Sequence, residues 1–243
     1  MKILTWFVLC TLFGNPFVAL FAVIVLYWLL DRWTLGILPD PFRIVGRYRR
    51  LWRLDAQLEA NSHDRKARFD RAETLLELRR PKAAFAAIRP NVEAGDHDPH
   101  TLFLAGRAAF AAGEFAVGRK LLEAVRKDEP SFAQNRLDLE LGRGLLQGGE
   151  AEAAQEALER FVGAREASIE GHVLLSRARA ARGDSEGAQA ARAVAWKNYT
   201  AAPRFVRRTE RWWAWRANPV RPVLWGSLAA VGLMGLFVAA TVF

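Results

Sequence analysis

Gly113-Glu114-Phe115-Ala116-Val117-Gly118, followed by Arg119-Lys120, comes close to a phosphate-cradling loop. That chemistry needs Lys then Ser or Thr directly after the second glycine, and a strand before the first. Neither is present, and the surrounding residues spell a helical turn. Asp96-His97-Asp98-Pro99-His100 offers two imidazoles and two carboxylates, the donor types of a metal site. They precede Pro99 in a turn, where Asp and His serve equally well as cap residues, so no metal ligand is assigned. No nucleophile elbow such as G-x-S-x-G occurs. The only cysteine, Cys10, lies in an apolar run with Leu9 before it, which suits neither a disulfide nor a lipid-modified N-terminus. The residues support no catalysis, no cofactor and no metal.

The charge is the next feature that could do work. The chain of 243 residues carries a net +9, a nucleic-acid signal until it is located. Residues 31–53 hold six Arg against two Asp, and residues 203–222 hold six Arg against one Glu. Residues 54–202 are close to neutral, with 22 basic and 23 acidic side chains. The excess sits beside the two apolar ends, where it points to a membrane surface and not to nucleic acid.

Ile3 to Leu30 is 28 residues without a charged side chain, about 42 Å as one helix against a hydrocarbon core of about 30 Å. Gly14-Asn15-Pro16 interrupts it, because proline removes a donor and restricts the residue before it. Residues 1–30 are therefore one kinked span or a re-entrant hairpin turning at 14–16. Residues 223–243, about 31 Å as a helix, match a single crossing. Gly226/Ala230 and Gly235/Ala239 are spaced to seat another helix. Trp28 and Trp33 follow the first segment, and Trp212, Trp213 and Trp215 precede the second. With Arg47, Arg49, Arg50, Arg207, Arg208 and Arg211 they form the expected membrane interface. Both arginine groups lie on the inner side of their segments. The positive-inside bias then places residues 31–222 in the cytoplasm of a bacterium, with the ends in its inner membrane.

Between the anchors the residues are Ala, Leu, Glu, Arg and Gln, with few β-branched side chains, and the pattern is helical throughout. It repeats. Leu102, Ala105-Gly106, Ala109, Gly118, Leu122, Val125 and Pro130 form one copy. Leu141-Gly142, Leu145, Gly149, Ala154, Leu158 and Phe161 form the next, and His172, Leu175-Ser176, Gly183, Ala188 and Ala195 another. A weaker copy is Ala72, Leu75, Ala84 and Ile88. Breakers at Arg80-Pro81, Gly95-Asp96, Gly113, Pro130, Gly148-Gly149 and Gly183-Asp184 divide each copy into two helices. A fixed period of this length predicts a stacked helical array that binds other chains.

These residues resemble the tetratricopeptide repeat family over roughly 65–200, with Pro130 at the usual closing position. The whole chain resembles membrane-anchored bacterial proteins of that family. The resemblance implies an all-α solenoid of helix pairs flanked by N- and C-terminal transmembrane helices. Its parts are an N-terminal span (1–30), a basic linker or helix (31–64), four repeats (65–200), a basic Trp-rich segment (201–222) and a C-terminal span (223–243). It also implies a concave groove lined by the first helix of each pair. The ninth position of the repeats faces that groove and holds Glu73, Arg107, Arg143 and Arg177. The three arginines would form a ladder for acidic side chains or a terminal carboxylate, or pair with Glu140 and Glu170. Phe103, Leu139, Val173, Phe110 and Leu146, at the fifth and twelfth positions, would supply an apolar floor. The implied function is a membrane-anchored scaffold for a protein or peptide partner. The alternatives are a structural subunit of a larger membrane complex and an accessory factor in envelope or lipid synthesis.

Overall fold

A computed structural model describes residues 14–15, 17–18, 21–22, 25, 41–130, 132, 136–220, 223–224 and 227. Trp28, Trp33 and the Gly226/Ala230 and Gly235/Ala239 pairs lie outside them, as does most of each apolar segment. Among the described residues, no helix is long and apolar enough to cross a membrane. The chain divides into two units, Met1–Asp40 with Asn218–Phe243, and Pro41–Ala217. In the first, Gly14 has a left-handed φ of +62°, and the Phe17 N–H donates to the Asn15 side-chain oxygen at 2.8 Å.

The second unit is all-helical among the described residues. It runs α1 (Pro41–Ala60), α2 (Arg65–Glu77), α3 (Pro81–Glu93), α4 (Pro99–Ala112), α5 (Phe115–Asp128), α6 (Arg136–Gln147), α7 (Ala151–Ala164), α8 (Ile169–Ala181), α9 (Ser185–Ala201), α10 (Arg204–Thr209) and α11 (Arg211–Ala217). Local chemistry sets the starts. Asp64, Asp98, Ser168 and Asp184 accept from the backbone N–H three residues on, satisfying a donor that the first turn leaves open. Pro81 and Pro99 fill first-turn positions that need no donor. Gly113 ends α4 at φ +92°, a conformation that a side chain would strain.

Helices pair as α2–α3, α4–α5, α6–α7 and α8–α9, and the first helices of neighbouring pairs also touch. The pairs close tightly because a glycine meets a leucine. A Cβ on Gly106 would stand 2.6 Å from Leu122 Cδ2, and one on Gly142 would stand 2.5 Å from Leu158 Cγ. Leu122 and Leu158 are fully buried as a result, each contributing about 1.5–3 kcal/mol. Phe110 locks the second pair to the third. Its ring lies against Gly118 of its own pair and Gly144 of the next, where an added Cβ would stand 2.8 Å and 2.3 Å from the nearest ring atom.

Three apolar clusters result. The central one runs from Leu102 through Leu122, Leu137, Leu158 and Phe161 to Leu175. One end holds Leu51 of α1 against Leu75, Ile88 and Leu104. The other holds Ala214 and Ala217 of α11 against Ile169, Val173 and Ala195, with Trp196, Tyr199 and Trp213 around them. Both basic segments beside the array therefore contribute helices that pack on it.

Candidate partner-binding groove

The first helices α4, α6 and α8 carry Arg107, Arg143 and Arg177 at one register, as the repeat spacing requires. Their surroundings differ. Arg107 Nε lies 3.5 Å from Glu140 Oε1, and Arg143 Nη1 donates to Glu140 Oε2 at 2.9 Å. Arg143 Nη2 also pairs with Glu170 Oε1. Glu140 is only 7% exposed, so two guanidiniums compensate a carboxylate that would be costly alone. Charge thus alternates along the groove, Arg107–Glu140–Arg143–Glu170, and cancels. Arg177 is exposed, and no ion pair to it occurs among the described residues. Glu73, at the same register in the first repeat, is taken by Arg50 of α1 at 3.5 Å.

The apolar floor is also graded. Phe103 and Leu146 are half-buried and reach the groove surface. Phe110, Leu139 and Val173 are 5%, 6% and 1% exposed. Phe110 is packed between two glycines and Val173 is covered by the α11 cluster, so these two form the wall behind the groove. Phe103 is held in place by Phe132, its ring centroid 5.3 Å away, and Arg107 sits 5.5 Å above the same ring.

At its C-terminal end the groove opens into a cleft of about 670 Å³. Arg136 and Leu139 of α6 line one side, Ser168 and Glu170 another, and Val206 of α10 with Glu210 the third. Burial pushes the Glu170 carboxyl above its usual range and outweighs the pull of Arg143, and the charge of Glu140 adds to the rise. Burial also raises Glu210, and the charge of Glu170 raises it further. Glu210 Oε2 is buried with no hydrogen-bond partner among the described residues. Repeat spacing carries no signal for this carboxylate, because Glu210 lies beyond the last repeat.

The motif look-alikes resolve into structure. Gly113 to Lys120 is the end of α4 and the start of α5, and Gly118 packs on Phe110. Asp98 caps α4 through the Thr101 N–H at 3.0 Å, and His100 stacks edge-on against Phe132 at 5.0 Å. Among the described residues no group of three His, Cys, Asp or Glu is placed to hold a metal ion.

The expected interface residues divide. Arg47 Nε binds Glu77 at 2.8 Å and Arg50 reaches Asp70 at 3.4 Å, so both turn toward the first repeat while Arg49 stays exposed. At the other end Trp212 is 53% exposed, Trp215 stacks edge-on to it at 5.1 Å, and Arg211 lies 5.9 Å above the Trp215 ring. Trp213 packs into the core, with Arg216 4.6 Å above its ring. Arg207 is half-buried and Arg208 is exposed.

Four stacked pairs, tight at the equivalent glycines 106 and 142, decide the architecture. The fold is that of the tetratricopeptide repeat. No protein-family model matches the sequence, and no curated protein does. Solved structures of this fold are similar. A double mutant of MamA RS-1 aligns over 66% of this chain and 89% of its own, at 16% identity and a TM-score of 0.58. MamA in another crystal structure aligns over 62% and 81%, at 16% identity and a TM-score of 0.54. TTC0263, a thermophilic tetratricopeptide repeat protein of Thermus thermophilus, aligns over 72% and 93%, at 20% identity and a TM-score of 0.53. The helical repeat fold is consistent with a scaffold for protein–protein contacts.

Proposed function

We propose that this chain is a membrane-held scaffold whose repeat groove takes a protein or peptide partner, without catalysis. The apolar segments 3–30 and 223–243, with arginines on their inner sides, carry the membrane part of the reading and place the repeats in the cytoplasm of a bacterial inner-membrane protein. The groove part rests on one observation: Arg107, Arg143 and Arg177 share a register on successive first helices. Their ion pairs refine the ligand chemistry. A partner carboxylate meets Arg177 directly, but at Arg143 it must displace Glu140 and Glu170. Phe103 and Leu146 give the partner apolar contact.

The test is position-specific photocrosslinking of the full-length protein in membranes. Adducts to a partner are expected from a crosslinker at 177 or 103, and none from Lys120 on the outer face of α5. Arg177→Glu should weaken capture strongly and Lys120→Glu should not. Adducts from the end segments alone, with the groove silent, would overturn this reading. They would favour the second one, a structural subunit held in a larger complex through its ends. The self-neutralised Arg107–Glu140–Arg143–Glu170 row supports that second reading, because such a row is complete without a ligand.

A further inference from the structure

We infer that α1 has a second working face, a docking surface for anionic phospholipid. This rests on the membrane-held reading and adds the surface and the lipid class. α1 is two-sided at helical spacing. Arg47, Arg50, Leu51, Leu54 and Asp55 turn to the first repeat, where Arg71 Nε binds Asp55 at 2.7 Å. Phe42, Val45, Arg49, Trp52 and Arg53 turn away from it. Phe42 is 74% exposed, Val45 56% and Trp52 69%. Gly46, Arg49, Trp52, Arg53 and Ala56 outline an open trough of about 670 Å³ on that side.

Three features select lipid over another occupant. The pattern is the first: large apolar rings alternate with guanidiniums, so rings can enter the headgroup layer while the cations meet phosphate. The second is sign. From Phe42 to Ala56 the only acidic residue is Asp55, and it faces inward in an ion pair. The face is purely cationic, which suits a surface rich in anionic headgroups. A second repeat stacked here would want the small apolar surface that Ala214 and Ala217 present at the other end. The third is reach. Ten residues separate Leu30, the end of the apolar segment, from Pro41, and a fully extended link of that length spans at most about 35 Å. With residues 3–30 in the bilayer, α1 is tethered within reach of its surface. Docking there would fix which way the groove faces.

The full chain tests this in a Cys10→Ser background, with a nitroxide on Val45→Cys and a control nitroxide on Lys120→Cys. The protein is reconstituted into vesicles of phosphatidylcholine with or without phosphatidylglycerol. In phosphatidylglycerol vesicles the label at 45 should collide several-fold more with oxygen, which partitions into lipid, than with a water-soluble nickel chelate. The label at 120 should show the reverse. Arg49→Glu with Arg53→Glu should abolish the oxygen preference at 45, and Arg49→Lys with Arg53→Lys should keep it. A label at 45 that stays chelate-accessible while the chain floats with the vesicles overturns the docking face and leaves anchoring intact. A chain that does not float with vesicles overturns both. An oxygen preference that is equal without phosphatidylglycerol and unmoved by the Glu variants overturns the anionic selectivity. Crosslinks from residue 45 to residue 45 of another copy would assign the face to self-association instead.

Discussion

Both ends of the array are closed by a helix that carries arginine, five in α1 with one tryptophan and two in α11 with three tryptophans, and different forces hold the two closures. At the N-terminal end, Leu51 and Leu54 supply the apolar contact, and four arginine–carboxylate contacts surround it. Those ion pairs are partly exposed and worth at most about 1 kcal/mol each, so the leucines dominate. At the C-terminal end, Ala214 and Ala217 bring α11 close and Trp213 fills the gap, under its own cation from Arg216. There the nearby carboxylates oppose docking: Glu210 is half-buried near the charge of Glu170, and its buried Oε2 has no hydrogen-bond partner among the described residues. One end therefore has its carboxylates paired with arginines, while at the other burial holds the Glu170 and Glu210 carboxyls above their usual range.

The largest test of that contrast is Leu51→Ala, which should cost about 2–4 kcal/mol and strip hydrogen-exchange protection from α1 and α2. Equal loss of protection in α11 would break the comparison, since the ends would then fold as one unit. Trp213→Ala should cost about 2 kcal/mol, less than a fully buried tryptophan because the ring is only partly buried, and the loss should be confined to α10, α11 and α8. Limited proteolysis after Arg204, Arg207 and Arg208 reads that loss directly.

A pH series sharpens the contrast. Glu170 and Glu210 hold their protons more tightly in the folded state than in the unfolded one. Their contribution is therefore fully present below the unfolded value near 4.5 and fades as pH rises through the raised folded values. Protection of residues 203–217 should increase as pH falls from neutral toward that range. Glu210→Gln should increase it at neutral pH and flatten its pH dependence. A protection that falls on acidification would refute the sign. The smallest effect is expected from Arg47→Ala, under about 1 kcal/mol and shrinking as salt is raised.

Sequence periodicity is a good guide wherever backbone approach dictates the residue. Gly106 with Leu122 and Gly142 with Leu158 repeat the same contact, and the first helices of the pairs begin at Arg65, Pro99, Arg136 and Ile169, 33 to 37 residues apart. It is a poor guide to charge, because a run of arginines does not say which way each one points. Arg47 and Arg50 differ from Arg49 only in their angle around α1. The 3.6-residue period that joins 47, 50, 51 and 54 and separates 42, 45, 49 and 52 carries that information. Glu140 lies three residues before Arg143 on one helix face, a spacing that by itself marks a helical ion pair. Trp213 carries no such signal. Its burial depends on Ala214 and Ala217 meeting Ala195 and Ile169 across the fold, and the segment that holds them lies past the last repeat.

The ring of Phe110 ties three positions into one inheritance. Gly118 and Gly144 cannot gain even a methyl while it is present. Drift at these sites is consequently coupled. Truncating the buried ring at 110 to alanine first leaves a void costing about 3–5 kcal/mol. Growth at 118 or 144 first passes through an overpacked intermediate costing about 1–3 kcal/mol. Lineages descending from this sequence should thus show a large ring at 110 with two glycines, or a reduced residue with at least one enlarged partner, and rarely a large residue at two of the three.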